Sequence, residues 1–285
     1  KYLPEFAKQT VVNDPTKGTV SGTHPSPTEI TIRQLLSHTA GMSHGIAPIA
    51  YDKEIWGATI MNQSIKTLGD RVHVLAGMPL MFDPDVRWTY SFAPDVSARL
   101  IEVLSGKSLD AYLKEKIFEP LGMKTIGYNL TEEQQKHIMT VYGFTPDSTL
   151  KRMDPQPPSH DNTIFSGVNA LFASAKDYLT FATMLLNKGE LNGKRILKAE
   201  TVALMTSDQI GNIKNRLTEK DQFVKLANGI AVDSLGALNL EPGYGFGLGF
   251  CILQDPVKAL RTENAKGELF WMGANTTHFF VNPEK

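Results

Sequence analysis

The 285-residue chain is 41% hydrophobic and 21% charged, enough to bury a sizeable core as one large domain or two interlocked ones and unlike a disordered or fibrous chain. Its 29 basic and 30 acidic residues leave a net charge of −1 with no long run of either sign, so nothing in it favours nucleic acid or an anionic membrane as a partner. No apolar run approaches the length of a membrane span, no signal peptide is visible, and the single cysteine, Cys251, rules out an intrachain disulfide.

Residues 1–30, rich in Pro, Gly and Thr, read as loop with a short helical turn. Thr31 followed by Gln34 makes a capping box that opens a helix reaching His38, with Gly41 as its C-cap. A second helix is expected from about Pro94 to Gly106, with Val96, Leu100, Val103 and Leu104 on one face. A third starts at the N-cap Ser108, carries Leu109, Tyr112, Leu113 and Ile117 on one face, and is closed by Pro120. Ser174 with Asp177 is another capping box, opening a helix whose apolar face is Tyr178, Phe181, Ala182, Leu185 and Leu186. Strand character comes only late, in 245–253, 269–271 and 277–281, and Cys251 in the first of these reads as a small buried side chain. The expected organisation is a mostly helical domain with entry loops over 1–235 and a partial sheet over 236–285.

Three blocks carry chemical information: Leu35-Leu36-Ser37-His38-Thr39-Ala40-Gly41, then Arg87-Trp88-Thr89-Tyr90-Ser91-Phe92, then Trp271-Met272-Gly273-Ala274. In this order they resemble the serine β-lactamase and penicillin-binding-protein superfamily, and within it the class C β-lactamase-like carboxylesterases, the family VIII esterases. The resemblance runs along nearly the whole chain. It implies an α/β (α+β) fold, β-lactamase-like, in which a mixed antiparallel sheet flanked by helices receives an inserted, mostly helical domain. The opening Lys1-Tyr2-Leu3-Pro4-Glu5-Phe6 resembles an interior segment of that family, and the chain stops just after what reads as a core strand. Truncation at both ends is therefore expected.

The resemblance also implies roles. The family's nucleophile is the Ser of a Ser-x-x-Lys motif upstream of the Leu-Leu-x-His-Thr block, activated by that Lys and by a Tyr phenol facing both. Tyr90 matches the phenol, and a neighbouring Lys ammonium would lower its pKa. Trp271-Met272-Gly273 stands where penicillin-recognising members carry Lys-Thr-Gly and the esterases Trp-Gly-Gly, with Met272 departing from the latter. Gly273 then allows close approach, the Ala274 N–H is the candidate oxyanion donor, and Trp271 shapes the acyl or alcohol pocket. Phe92 stands where members that bind substrate amides carry an Asn, which favours esters as substrates.

Other patterns compete with this reading. Gly41-Met42-Ser43-His44-Gly45 satisfies the nucleophile-elbow pattern, but an elbow needs a strand before it, and here a capped helix precedes. Ser148-Thr149-Leu150-Lys151 is the only Ser-x-x-Lys of the chain, yet it lies between Pro146 and the Pro155–Pro158 stretch and reads as exposed loop. His38 reads as a hydrogen-bonded structural residue. No histidine pair has metal-binding spacing, and Gly245-Phe246-Gly247-Leu248-Gly249 lacks the helix a dinucleotide loop needs, so no metal and no cofactor are expected.

The expected function is a serine carboxylesterase acting on a small-molecule ester through an acyl-enzyme, with the Ser and Lys outside this chain. Alternatives are a D,D-peptidase or β-lactamase and, from another class, a non-catalytic ligand-binding fragment. The expected partners exclude nucleic acid and a membrane span; a homo-oligomer or a complementing chain would supply missing strands. The compartment stays open with a leaning toward the cytoplasm, because an N-terminus read as missing would take any signal peptide with it.

Overall fold

In the computed structural model the described residues are 1–154, 158–211, 213–227, 230–275 and 277–283. Local signals placed several helices correctly. Thr31 caps Ile32–Leu36 through a complete capping box with Gln34. The helix Ala93–Ser105 carries Pro94 in its first turn, where a missing N–H costs nothing, and ends at Gly106 with φ +68°. Val96 and Leu100 of its expected apolar face are buried, whereas Val103 and Leu104 are exposed beyond the core's reach. Ser108 caps Leu109–Leu113, and the chain continues through a π-turn, Lys114–Phe118, into Glu119–Leu121. Pro120 does not close this helix: it occupies the first turn of the last segment, and Gly122 at φ +71° terminates it.

Gly41 is not a C-cap, because the first helix ends at Ser37. With φ +80°, a Cβ there would lie 2.0 Å from the Phe82 carbonyl oxygen, so glycine is required for close passage of two chain segments. The Gly41 carbonyl accepts from Met81 N (2.7 Å) and Phe82 N (3.2 Å), fastening the two segments together. Ser174 caps Ala175–Leu186 by accepting from Asp177 N, but the Asp177 carboxylate turns to Thr125 N and Oγ1 and does not complete a box.

The late strands form one four-stranded antiparallel sheet in the order Tyr244–Phe246, Cys251–Leu253, Leu269–Met272, His278–Val281. The expected strand over 245–253 is thus a tight hairpin of two. Cys251, Leu253 and Phe270 face one core with Trp88 and Tyr244, while Ile252, Leu269 and Val281 face another with Ala182 and Leu185 of the Ala175–Leu186 helix. Strand character is not confined to the end of the chain. Phe223–Ala227, Ile230–Asp233 and Leu238–Leu240 form a three-stranded sheet, which runs across position 235/236. Thr10–Val12 pairs with Thr23–Pro25 and meets Leu80 in a parallel bridge, inside the region read as loop.

Among the described residues no helix is long and apolar enough to cross a membrane.

Candidate functional site

Tyr90 lies in an extended segment just before the Ala93–Ser105 helix, zipped onto the His38–Ser43 segment by backbone hydrogen bonds. Asp85 N donates to Thr39 O (2.8 Å), Thr89 N to His38 O (3.0 Å) and Phe92 N to Ser43 O (3.1 Å). Side chains add Gln34 Nε2 and Thr39 Oγ1 to the Asp85 carboxylate at 2.7 and 3.0 Å, and His38 Nδ1 pairs with Ser91 Oγ at 2.9 Å. Arg87 ties the same segment to the three-stranded sheet through Asp233 at 2.6 Å. Two sequence blocks about fifty residues apart thereby become one rigid unit.

The third block joins it from the sheet. The Trp271 and Tyr90 rings lie 5.5 Å apart at 46°, and His38 lies within ring contact of Trp88, Tyr90, Phe246 and Trp271. Tyr90 and Trp271 are therefore neighbours. Gly273 and Ala274 are exposed in the turn that leads to His278–Val281; Gly273 N donates to Thr277 O at 2.7 Å. A Cβ on Gly273 would stand 2.5 Å from Thr277 Oγ1, so the close approach that its glycine allows is by its own hairpin.

Phe92 stands elsewhere. Its ring is completely buried, stacked on His44 (4.6 Å, 8°) and covered by the Arg71 guanidinium at 5.9 Å, so it presents no surface to a substrate here. The reason is local: Phe92 is the residue from which the helix starts, and that entry turns inward.

The electrostatics differ from the sequence expectation. Burial, with a smaller contribution from the Asp95 carboxylate, pushes the Tyr90 phenol up to about 12, the reverse of the lowering a Lys neighbour would give. His38 is pulled down to about 3 by burial and then by His44, and His44 to about 4 by burial and then by Arg71. At neutral pH the Tyr90 hydroxyl keeps its proton, and both imidazoles beside it are uncharged.

These two histidines make acid stability a testable property. Their folded pKa values lie below the unfolded value, so the unfolded chain takes up protons that the fold refuses. Their contribution is complete above about pH 6.5 and is lost as pH falls toward about 4 for His44 and about 3 for His38, at about 1.4 kcal/mol per pH unit for each. Asp52, whose carboxyl is raised by burial, works in the opposite direction and is common to any pair of variants compared. His38→Asn, an amide suited to the left-handed φ of +56°, should lose roughly 2 kcal/mol less than the parent between pH 7 and pH 5 by urea midpoints. Equal losses would show that His38 titrates as an exposed imidazole.

The competing nucleophiles are placed plainly. Ser43 is 3% exposed, and its hydroxyl donates to Asp52 Oδ1 at 2.6 Å and accepts from Gly45 N; no strand precedes it, so it is not an elbow. Ser148 sits at φ +65° in the exposed turn of the hairpin Val141–Phe144/Leu150–Met153, so it and Lys151 share no helix; Pro155–Pro157 lie outside the described residues. Among the described residues no group of three or more His, Cys, Asp or Glu is placed to hold a metal.

Sequence reasoning missed two features. One is His44, visible only as a member of the discarded Ser43 pattern. The other is the buried pair Arg71–Asp95 (3.0 Å), whose Asp95 Oδ1 also accepts from Ser166 Oγ, Gly167 N and Val168 N at 2.6, 2.7 and 3.1 Å.

Among similar proteins, acyltransferase calJ of Penicillium decumbens is 28% identical over 299 residues, covering 100% of this chain and 65% of the relative. Esterase EstB of Burkholderia gladioli is 26% identical over 303 residues, covering 99% of this chain and 66% of the relative. The chain thus spans about two thirds of the length of these curated relatives. The solved structure of EstCE1, a hydrolase with promiscuous acyltransferase activity, superimposes with a TM-score of 0.70 at 24% identity, covering 99% of this chain and 68% of that one, a likeness of fold. The Beta-lactamase family model matches residues 1–285, and with the helices, sheets and three blocks arranged as described, the chain belongs to the β-lactamase family.

Proposed function

We propose that this chain carries the tyrosine and the aromatic wall of a serine carboxylesterase that acts on short-chain esters through an acyl-enzyme, the Ser-x-x-Lys nucleophile lying outside these 285 residues. The observation that carries the reading is the meeting of Tyr90 with Trp271 at 5.5 Å, in surroundings where the other contacting rings, His38 and His44, are neutral. A protonated phenol suits a relay: it gives its proton to the leaving alcohol while accepting that of the attacking hydroxyl. A Lys ammonium arriving with the nucleophile would bring the phenol back toward working pH, because an opposite charge favours the ionised form. The N–H of Ala274, on the exposed turn beyond Trp271, is the proposed second oxyanion donor, and Gly273 and Trp271 line the approach.

Substrate class follows from the wall. A carboxylate-bearing β-lactam or peptide gains most from a cation and an amide partner; Trp271 is no cation, and Phe92, turned into the core, brings no amide to the cleft. Losing such partners costs roughly a few kcal/mol of recognition. The complete protein should therefore hydrolyse p-nitrophenyl butyrate with kcat/KM at least about a hundredfold above that for penicillins or cephalosporins. Comparable values would favour a D,D-peptidase or β-lactamase, and no turnover of either class would favour a ligand-binding protein. A fluorophosphonate should label the complete protein at the Ser of a Ser-x-x-Lys motif; an adduct mapped to any serine of these 285 residues would overturn the assignment.

A second reading is transfer of the acyl group to an alcohol in place of water. It is supported by the name of the relative calJ, an acyltransferase, and by aromatic walls that disfavour bound water.

A further inference from the structure

Among the described residues His44 is the one aromatic neighbour of Tyr90 that lies flat against it. The ring centroids are 4.9 Å apart with the planes 16° from parallel, whereas His38 and Trp271 meet the same ring at 49° and 46°. His44 also stacks on Phe92 at 4.6 Å and 8°, and Phe92 is capped by Arg71, which is held in turn by the buried Asp95 carboxylate. The backbone beside His44 is equally fixed, since Ser43 O accepts from Phe92 N and Ser43 Oγ is bonded to Asp52. A planar group is thus held by its ring stacking and its backbone. Its Nδ1 is buried with no hydrogen-bond partner among the described residues.

That unpartnered nitrogen is informative. An unpartnered buried nitrogen costs free energy that a benzene ring in the same slot would avoid, so hydrogen bonding at Nδ1 does not explain how the ring is held. What it does provide is a flat, rigid face. Offset stacking is the arrangement aromatic pairs prefer, and a parallel neighbour limits the swing of the Tyr90 ring about χ1, the motion that displaces the phenolic oxygen. Displacing a proton-transferring oxygen by about 1 Å costs on the order of a hundredfold in rate.

We infer that His44 is a positioning residue for Tyr90, acting through the plane of its ring and not through its protons. The inference rests on the esterase reading above, and the experiment separates the two. Kinetics with p-nitrophenyl butyrate would be measured on the complete protein and on its His44→Leu, His44→Phe and Tyr90→Phe variants, each checked for folding by its thermal midpoint. His44→Leu, similar in bulk but not planar, should lower kcat about a hundredfold with KM within about twofold. His44→Phe should restore kcat to within about threefold of the parent, since the stack returns, and should raise the thermal midpoint by removing the orphaned nitrogen. Should His44→Leu fail to fold, His44→Met carries the same expectation.

Wild-type kcat in the Leu or Met variant would overturn the inference, as would a Phe variant as impaired as Leu, which would assign the effect to the imidazole nitrogens. A Phe variant that loses KM alone would also overturn it, by making His44 a substrate contact. If Tyr90→Phe itself stays active, the esterase reading through Tyr90 fails; if Tyr90→Phe is inactive while His44→Leu is not, only the positioning inference fails.

Discussion

Replacing Tyr90 by Phe in the complete protein should lower kcat for short-chain esters by about 10² to 10⁴, the usual worth of a general acid-base group, while the thermal midpoint hardly moves. The stability half of this expectation comes from the packing. The Tyr90 ring contacts His38, His44 and Trp271 through its faces and edges, and a phenyl ring retains all three contacts. The rate half comes from the hydroxyl alone. Burial and Asp95 keep that hydroxyl protonated well above neutral pH, so it can relay a proton but cannot stand as a free phenolate. Any activity requiring a phenolate at neutral pH must therefore include a cation brought by other residues, and the pH dependence of kcat/KM in the parent should show it. A Phe variant that stays folded and keeps most of its esterase activity would remove Tyr90 from the chemistry.

How much of this was legible in sequence depends on the range of the interaction. The Thr31–Gln34 box and the Ser108 and Gly106 caps were readable because each is completed within three or four residues. Gly41 was misread as a cap because its constraint is the Phe82 carbonyl, forty residues away, which no local pattern announces. The strand Phe223–Ala227 was missed because Phe-Val-Lys-Leu-Ala has no clean alternation, and the strand exists through its pairing with Ile230–Asp233. At the site, the Tyr90–Trp271 neighbourhood was anticipated from the order of three blocks in a family, not from spacing, since about 180 residues separate the two rings. Phe92 shows the limit of that transfer. A position to which the family resemblance assigned a substrate contact holds an apolar ring here, and a ring at the entry to an amphipathic helix gains more by burial than by exposure. The raised phenol of Tyr90 was likewise invisible, since desolvation belongs to the assembled core.

The largest stability effect is expected at Asp95. Its carboxylate is fully buried and meets Arg71 Nη1 on one oxygen and Ser166 Oγ, Gly167 N and Val168 N on the other. The Ser166–Val168 loop is pressed so tightly against the helix start that a Cβ on Gly167 would lie 2.2 Å from the Pro94 carbonyl oxygen. Asp95→Ala would strand the guanidinium and the buried Ser166 hydroxyl and would release Gly167 N, while Val168 N keeps its bond to Ser166 Oγ at 3.1 Å; removing one partner of a buried pair costs about 3–5 kcal/mol. With native stabilities of about 5–15 kcal/mol, this is a large part of the total. The urea midpoint should fall accordingly, with Asp95→Asn intermediate because one amide oxygen can still serve the loop. Adding Arg71→Met to Asp95→Ala should recover part of the loss, since the uncompensated charge leaves with it while the Ser166 hydroxyl stays without its acceptor. A loss below about 1 kcal/mol for Asp95→Ala, or no recovery in the double variant, would show that Arg71 and the loop find other partners. Because the same helix start carries Phe92 and, through it, the His44 stack, a relaxed loop should also free the Tyr90 ring. The double variant is then expected to regain stability before it regains ester turnover.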